Sequence, residues 1–151
     1  MLKSAAMPPR KILVVDDDKT ILSMLNKYLT SVGYSVVVTD NGSEGLMLVR
    51  ESRPDLIIVD SDMPGLDGHA VCRVLKKEAA TQSIPVVIMS GARISETDVL
   101  SGFSGGADDY VTKPFSLPVL EARLKAVLRR YKVSEPQVEV TQVAPVATID
   151  G

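Results

Sequence analysis

The sequence predicts an α/β fold: a single doubly wound, mostly parallel sheet of five strands with helices on both faces. Three observations carry the prediction. Short unbroken apolar runs rich in β-branched residues recur along the chain, as in Leu56-Ile57-Ile58-Val59, and such runs suit strands buried on both faces. Between them, apolar residues return at helical spacing. Strand and helix alternate one for one, which is the pattern of right-handed crossovers.

Each element has a local reason. Residues 1–9 read as a loose leader. Lys11-Ile12-Leu13-Val14-Val15 is the first strand and ends in Asp16-Asp17-Asp18. Ile21, Leu22, Leu25 and Leu29 line the first helix, with Asp18 as its N-cap and Gly33 closing it. Residues 34–39 alternate weakly as a second strand. Asn41-Gly42-Ser43 opens a second helix that stops before Pro54. The third strand runs through Leu56-Ile57-Ile58-Val59 to Asp60, and Met63-Pro64-Gly65 forces the chain out of the sheet. Asp67 or Gly68 starts a third helix with Val71, Val74 and Leu75 on one face. Ile84 to Met89 forms a fourth strand ending in Ser90-Gly91. A polar fourth helix is expected over 96–103. Asp109-Tyr110-Val111 is a short fifth strand leading to Thr112-Lys113-Pro114-Phe115, and a last helix over 117–131 stacks Leu120, Leu124, Val127 and Leu128. The folded domain is thus expected over 10–132, with a disordered tail over 133–151.

Composition narrows the class. A chain of 151 residues, 45% hydrophobic and 24% charged, suits one soluble domain with a full core. A net charge of −2 gives no general nucleic-acid surface. One cysteine excludes an intramolecular disulfide, and Cys72 beside Val71 reads as a small buried hydrophobe. No apolar run approaches the ~18 residues of a membrane span, and residues 1–10 are too short for a signal-peptide core. The expectation is a cytoplasmic protein with no membrane contact.

The chemistry gathers at strand ends. In a parallel sheet the carboxyl ends of all strands share one edge, where open α/β sheets place their ligands. Asp16 and Asp17, Asp60, Ser90 and Lys113 therefore converge although far apart in sequence. Two carboxylates ~5 Å apart repel by about 3 kcal/mol at an effective dielectric of ~20. A divalent cation relieves that repulsion, and oxygen-only ligands favour Mg²⁺, which commonly shares its site with a phosphate. Lys113 offers a mobile point charge for a phosphate oxygen, and Ser90 a hydroxyl with space beside it at Gly91. Together these groups describe a site for a phosphoryl group next to a carboxylate nucleophile. His69, the single histidine, is read as a solvated residue where a helix opens. Arg129 and Arg130 are read as complementing the dipole of the last helix.

Four motifs in order, Val-Val-Asp16-Asp17-Asp18, Val-Asp60-Ser-Asp-Met-Pro64-Gly65-Leu-Asp-Gly68, Met-Ser90-Gly91 and Gly106-Ala-Asp-Asp-Tyr110-Val-Thr-Lys113-Pro114-Phe115, resemble the receiver domain of two-component response regulators. The resemblance spans about residues 11–131. It implies a flavodoxin-like strand order of 2-1-3-4-5. It implies that Asp60 accepts a phosphoryl group from a histidine kinase or phosphotransfer protein. It implies that Asp17, Asp16, Asp60 and the backbone carbonyl of Asp62 hold Mg²⁺, that Ser90 and Lys113 contact the phosphoryl group, and that the Lys113–Pro114 bond is cis. Tyr110 becomes an aromatic switch that follows Ser90. Asp62 and Ala92 take positions that tune hydrolysis of the acyl phosphate.

On this reading the chain is a signalling switch rather than a turnover enzyme. Its output is a changed surface of the fourth helix, fifth strand and last helix, presented to an effector protein without direct nucleic-acid contact. The stretch 113–130 also resembles receivers that pair through this face, with acids near Asp108 and Asp109 and bases near Arg123 and Arg129 bridging a phosphorylation-dependent homodimer. Two alternatives remain open: a docking module of receiver shape that acts unphosphorylated, and a phosphatase with an aspartate nucleophile. The second draws on the Asp-x-Asp spacing of Asp60 and Asp62, which resembles haloacid-dehalogenase-like enzymes but stands on the third strand rather than the first.

Overall fold

In the computed structural model, which describes residues 8–91, 100 and 105–132, five strands form one parallel sheet. In chain order they are β1 (Lys11–Val15), β2 (Ser35–Thr39), β3 (Leu56–Asp60), β4 (Val86–Ser90) and β5 (Asp109–Thr112). Their order across the sheet is β2-β1-β3-β4-β5, as the resemblance implies. The helices are α1 (Lys19–Ser31), α2 (Gly42–Ser52), α3 (Gly68–Lys77) and a C-terminal helix (Leu117–Lys132). The helix expected over 96–103, but for position 100, lies outside the described residues, as do position 92, the leader up to residue 7 and the tail from 133. No helix among the described residues is long and apolar enough to cross a membrane.

Period-two alternation divides the core into two layers. Ile12, Val14, Leu56, Ile58, Val87 and Met89 face α1 and the C-terminal helix, meeting Leu25, Leu29, Leu120 and Leu124. Leu13, Val15, Ile57, Val59, Val86 and Ile88 face the other way, onto Val49, Val71, Cys72 and Leu75 of α2 and α3. The inner strands β3 and β4 are buried at every position, which explains why their sequences run apolar without alternating. Each fully buried Leu, Ile or Val stabilises by roughly 1.5–3 kcal/mol, so the rigid part of the molecule is the sheet whose ends carry the polar residues.

The helix ends follow the sequence. Asp18 caps α1 by accepting from the N–H groups of Thr20 and Ile21. Gly33, at φ +107°, follows the end of α1 in a conformation that a Cβ would strain. Asn41 caps α2 and Asp67 caps α3. Arg130 departs from expectation: beyond its place near the helix end, its guanidinium donates to the Asp108 carbonyl at 3.3 Å.

One close approach fixes where α3 begins. A Cβ built on Gly68 would stand 2.5 Å from the Asp60 carbonyl oxygen and 2.9 Å from its carbon. Both are backbone atoms of a buried strand and have no room to yield. Gly68→Ala gains helix propensity of up to about 1 kcal/mol but loses more to this collision. The expected net destabilisation is about 1–2 kcal/mol, read as a lower urea midpoint at unchanged m-value.

Candidate functional site

The sheet delivers its polar residues to one edge. Beyond Val15, the Asp16 N–H still donates to the Thr39 carbonyl (3.1 Å), so the β1–β2 ladder carries Asp16 one residue past the strand. The Asp18 N–H then donates to Asp16 Oδ1 (2.9 Å) and turns the chain into α1. The second oxygen of Asp16 is left facing the sheet edge. Asp60 ends β3 in register with Met89, and the Ser61 N–H donates to the Met89 carbonyl (2.7 Å). Ser90 ends β4 in register with Thr112, and its carbonyl accepts from the Lys113 N–H (2.6 Å). The Lys113–Pro114 bond is cis, as implied.

Asp16, Asp17 and Asp60 bring carboxylate oxygens within 4.8 Å of one another. Asp16 and Asp60 are buried and Asp17 is exposed, so the cluster opens to solvent on one side. The Lys113 ammonium lies 2.9 Å from Asp16 Oδ2 and 3.4 Å from Asp60 Oδ1. Ser90 is buried at the same edge. Of the residues predicted from sequence, Asp16, Asp17, Asp60 and Lys113 come together directly. The side chain of Asp62 does not: it is exposed, and its carboxylate stands 4.0 Å from where a Cβ on Gly91 would be. What Asp62 supplies is a backbone N–H that favours the charged form of the Asp60 carboxylate, a contribution invisible in sequence.

The electrostatics are those of too few cations. Burial, and next the neighbouring Asp16 charge, push the Asp60 carboxyl up to about 6 from an ordinary 3.8, although Lys113 and the Asp62 N–H pull the other way. Burial works against the Lys113 ammonium, yet the carboxylates, Asp16 foremost, outweigh it and hold its pKa above the usual lysine value. Asp16 Oδ2 is buried and makes no hydrogen bond of regular geometry; its close ion pair with Lys113 is a charge contact rather than an aligned donor. A buried carboxylate oxygen without an aligned donor, beside two further carboxylates, suits a hard divalent cation.

One expectation needs correction. His69 is not solvated. It is the second residue of α3, half-buried, with Nε2 3.0 Å from the hydroxyl of Tyr110. The tight Gly68 contact draws this end of α3 against the sheet, and that places the imidazole over β5. Nothing in the spacing of 69 and 110 announces the contact. Three of the residues expected to bridge two copies, Asp108, Asp109 and Arg123, also have partners within the single chain. Arg123 pairs with Asp109 at 3.2 Å, while Asp108 accepts from Val86 N–H and the Tyr131 hydroxyl, both at 2.8 Å.

Three comparisons bear on this geometry. The model of the family described as the response regulator receiver domain matches residues 12–125. The chain is 45% identical over 121 residues to the DNA-binding response regulator MtrA of Mycolicibacterium smegmatis, covering 80% of this chain and 51% of that one. It is 44% identical to the transcriptional regulatory protein AfsQ1 of Streptomyces coelicolor, covering 79% and 51%. The chain thus spans about half the length of the curated relatives it matches. Among solved structures, the signal receiver domain of a signal transduction histidine kinase from Syntrophus aciditrophicus superposes with a TM-score of 0.76 at 35% identity, covering 86% of this chain and 98% of that one.

A raised Asp60 pKa has a signed consequence. The folded state binds this proton more tightly than the unfolded state, so Asp60 costs stability above pH 6, and the cost fades as pH falls through 6 toward 3.8. In EDTA, Asp60→Asn is expected to exceed the wild type in unfolding free energy by about 1–3 kcal/mol at pH 7.5. The two should converge near pH 4. Urea unfolding across pH reads both.

Proposed function

We propose that this chain, which belongs to the response regulator receiver domain family, is a switch of two-component signalling that is set by phosphorylation of Asp60. The observation that carries the reading is the meeting of three carboxylates and one ammonium at a single sheet edge, with Lys113 3.4 Å from Asp60. A nucleophilic carboxylate must be reachable, and the cluster opens on the side of exposed Asp17.

In the proposed reaction one oxygen of Asp60 attacks phosphorus in a phosphohistidine of a kinase or phosphotransfer protein. The P–N bond breaks, the imidazole nitrogen keeps the electron pair, and an acyl phosphate forms on Asp60. Lys113 holds one phosphoryl oxygen by charge and Ser90 donates to another. Asp16, Asp17, Asp60 and the Asp62 carbonyl are the groups that would hold Mg²⁺, which when bound supplies positive charge to the phosphoryl oxygens. Asp16 keeps Lys113 charged and in place, and the Asp62 N–H favours the ionised form of Asp60. Tyr110 then follows Ser90, and the face of β5 and the C-terminal helix changes for an effector protein or a second copy of the chain.

The remaining parts of the reading follow from this role. The chain turns over no external substrate, works in the cytoplasm, and meets proteins rather than nucleic acid or membrane. The relatives bear the names of transcriptional regulators, so a transcriptional output is the proposed destination of the signal.

Intact mass after incubation with acetyl phosphate and Mg²⁺ tests the reading. One added phosphoryl group is expected, absent in Asp60→Ala and in EDTA. Because the nucleophile must be ionised, uptake at limiting Mg²⁺ is expected to fall about tenfold from pH 7.5 to pH 5. No mass gain in a folded, Mg²⁺-binding protein would overturn it in favour of a docking module that acts unphosphorylated.

A further inference from the structure

The His69–Tyr110 contact belongs to none of the groups that handle the phosphoryl group, yet it joins two parts of the molecule that the proposed switch must connect. His69 follows Gly68, whose backbone is pressed on the Asp60 carbonyl. Tyr110 lies on β5, in the core layer shared by α2 and α3. The two rings are 5.9 Å apart between centroids and inclined by 32°, and their closest polar atoms are 3.0 Å apart. Both residues are half-buried, so water competes only in part for the bond. Either the phenol donates to a bare Nε2 or an Nε2–H donates to the phenol oxygen, and both arrangements hold the ring at α3.

We propose that His69 is a positioning residue for Tyr110: its imidazole ties the ring of the switch to the N-terminus of α3, and so to the backbone of the phosphoacceptor Asp60. The proposal rests on the reading of Asp60 and Tyr110 given above. A continuous run of contacts leads from the Asp60 carbonyl through Gly68 and His69 to the Tyr110 hydroxyl, and physical contiguity of this kind is what a coupling between two sites needs as its starting point. The bond favours the present position of the ring. Movement of Tyr110 breaks it, so removing the bond shifts the ratio of moved to unmoved ring by about fivefold, the effect of one net hydrogen bond.

The sequence supplies a clean probe, because His69 is the single histidine and its ring signals need no assignment. In the full chain, ¹⁵N spectra of the imidazole are expected to show a displaced Nε2 resonance in Tyr110→Phe. The control Tyr34→Phe, in the other core layer, should leave it in place. Adding Mg²⁺ and beryllofluoride, a mimic of a carboxyl-bound phosphoryl group, should move the wild-type Nε2 resonance toward its position in Tyr110→Phe. In His69→Phe the Tyr110 ring signals should lie displaced toward their beryllofluoride-bound positions before any addition, with one phosphoryl group per chain still taken up from acetyl phosphate. An Nε2 resonance identical in wild type and Tyr110→Phe would overturn the bond. Bound beryllofluoride, seen by its fluorine signals, with an unmoved His69 would overturn its role in the switch while leaving the phosphoacceptor reading intact. Failure to bind beryllofluoride at all would overturn that reading instead, and the switch role with it.

Discussion

Three carboxylates and one ammonium at the end of a buried sheet are the constraint on which the site depends. Asp16 and Asp60 are almost wholly removed from water, and among the described residues Lys113 alone pairs with both. A buried charge without full compensation is costly, and here the cost takes a readable form in an Asp60 carboxyl that titrates near 6. The fold maintains this imbalance because the hydrophobic layers on either side hold the strand ends fixed. The same imbalance leaves the edge rich in negative charge and makes Asp60 readier than an ordinary carboxylate to take up a proton.

Topology turns that local chemistry into a connected device. Parallel strands place Asp60, Ser90 and Lys113 on one edge, and backbone bonds from Ser61 to Met89 and from Lys113 to Ser90 lock the three ends together. The three ends are thus joined backbone to backbone rather than through loops. Gly68 adds a second route, since its lack of a side chain lets α3 sit on the Asp60 carbonyl. The end of β3 at Asp60 is thereby in contact with β4 and α3, and through β4 with β5.

Much of this was legible from residue types. Apolar runs in β3 and β4, the caps Asp18 and Asn41, and the acids and lysine at strand ends need only local pattern to be found, because burial on both faces and helix-end hydrogen bonds select residues strongly. Strand order came through the resemblance, since alternation of strand and helix does not rank strands. What escaped was backbone and cross-element geometry. The Asp62 N–H that reaches Asp60 is a property every residue has, and so leaves no mark in sequence. His69 reads as a polar residue at a helix start, because its partner is 41 positions away on a strand that only the folded sheet brings alongside. Arg123 and Asp109 read as charges for a second copy of the chain, although their spacing across the β5–helix connection lets them meet within one.

The claim that the sheet edge is short of positive charge is tested most directly by the effect of Mg²⁺ on stability. A ligand that binds the folded state raises unfolding free energy in proportion to the logarithm of its concentration, by about 2.7 kcal/mol at one hundred times its Kd. Urea unfolding of wild type, Asp16→Asn and Asp60→Asn in EDTA and in rising Mg²⁺ gives the answer. A shortage of positive charge at this edge predicts a concentration-dependent rise for wild type that is strongly reduced in both variants. A wild-type protein indifferent to Mg²⁺, or variants that respond as strongly as it does, would contradict it.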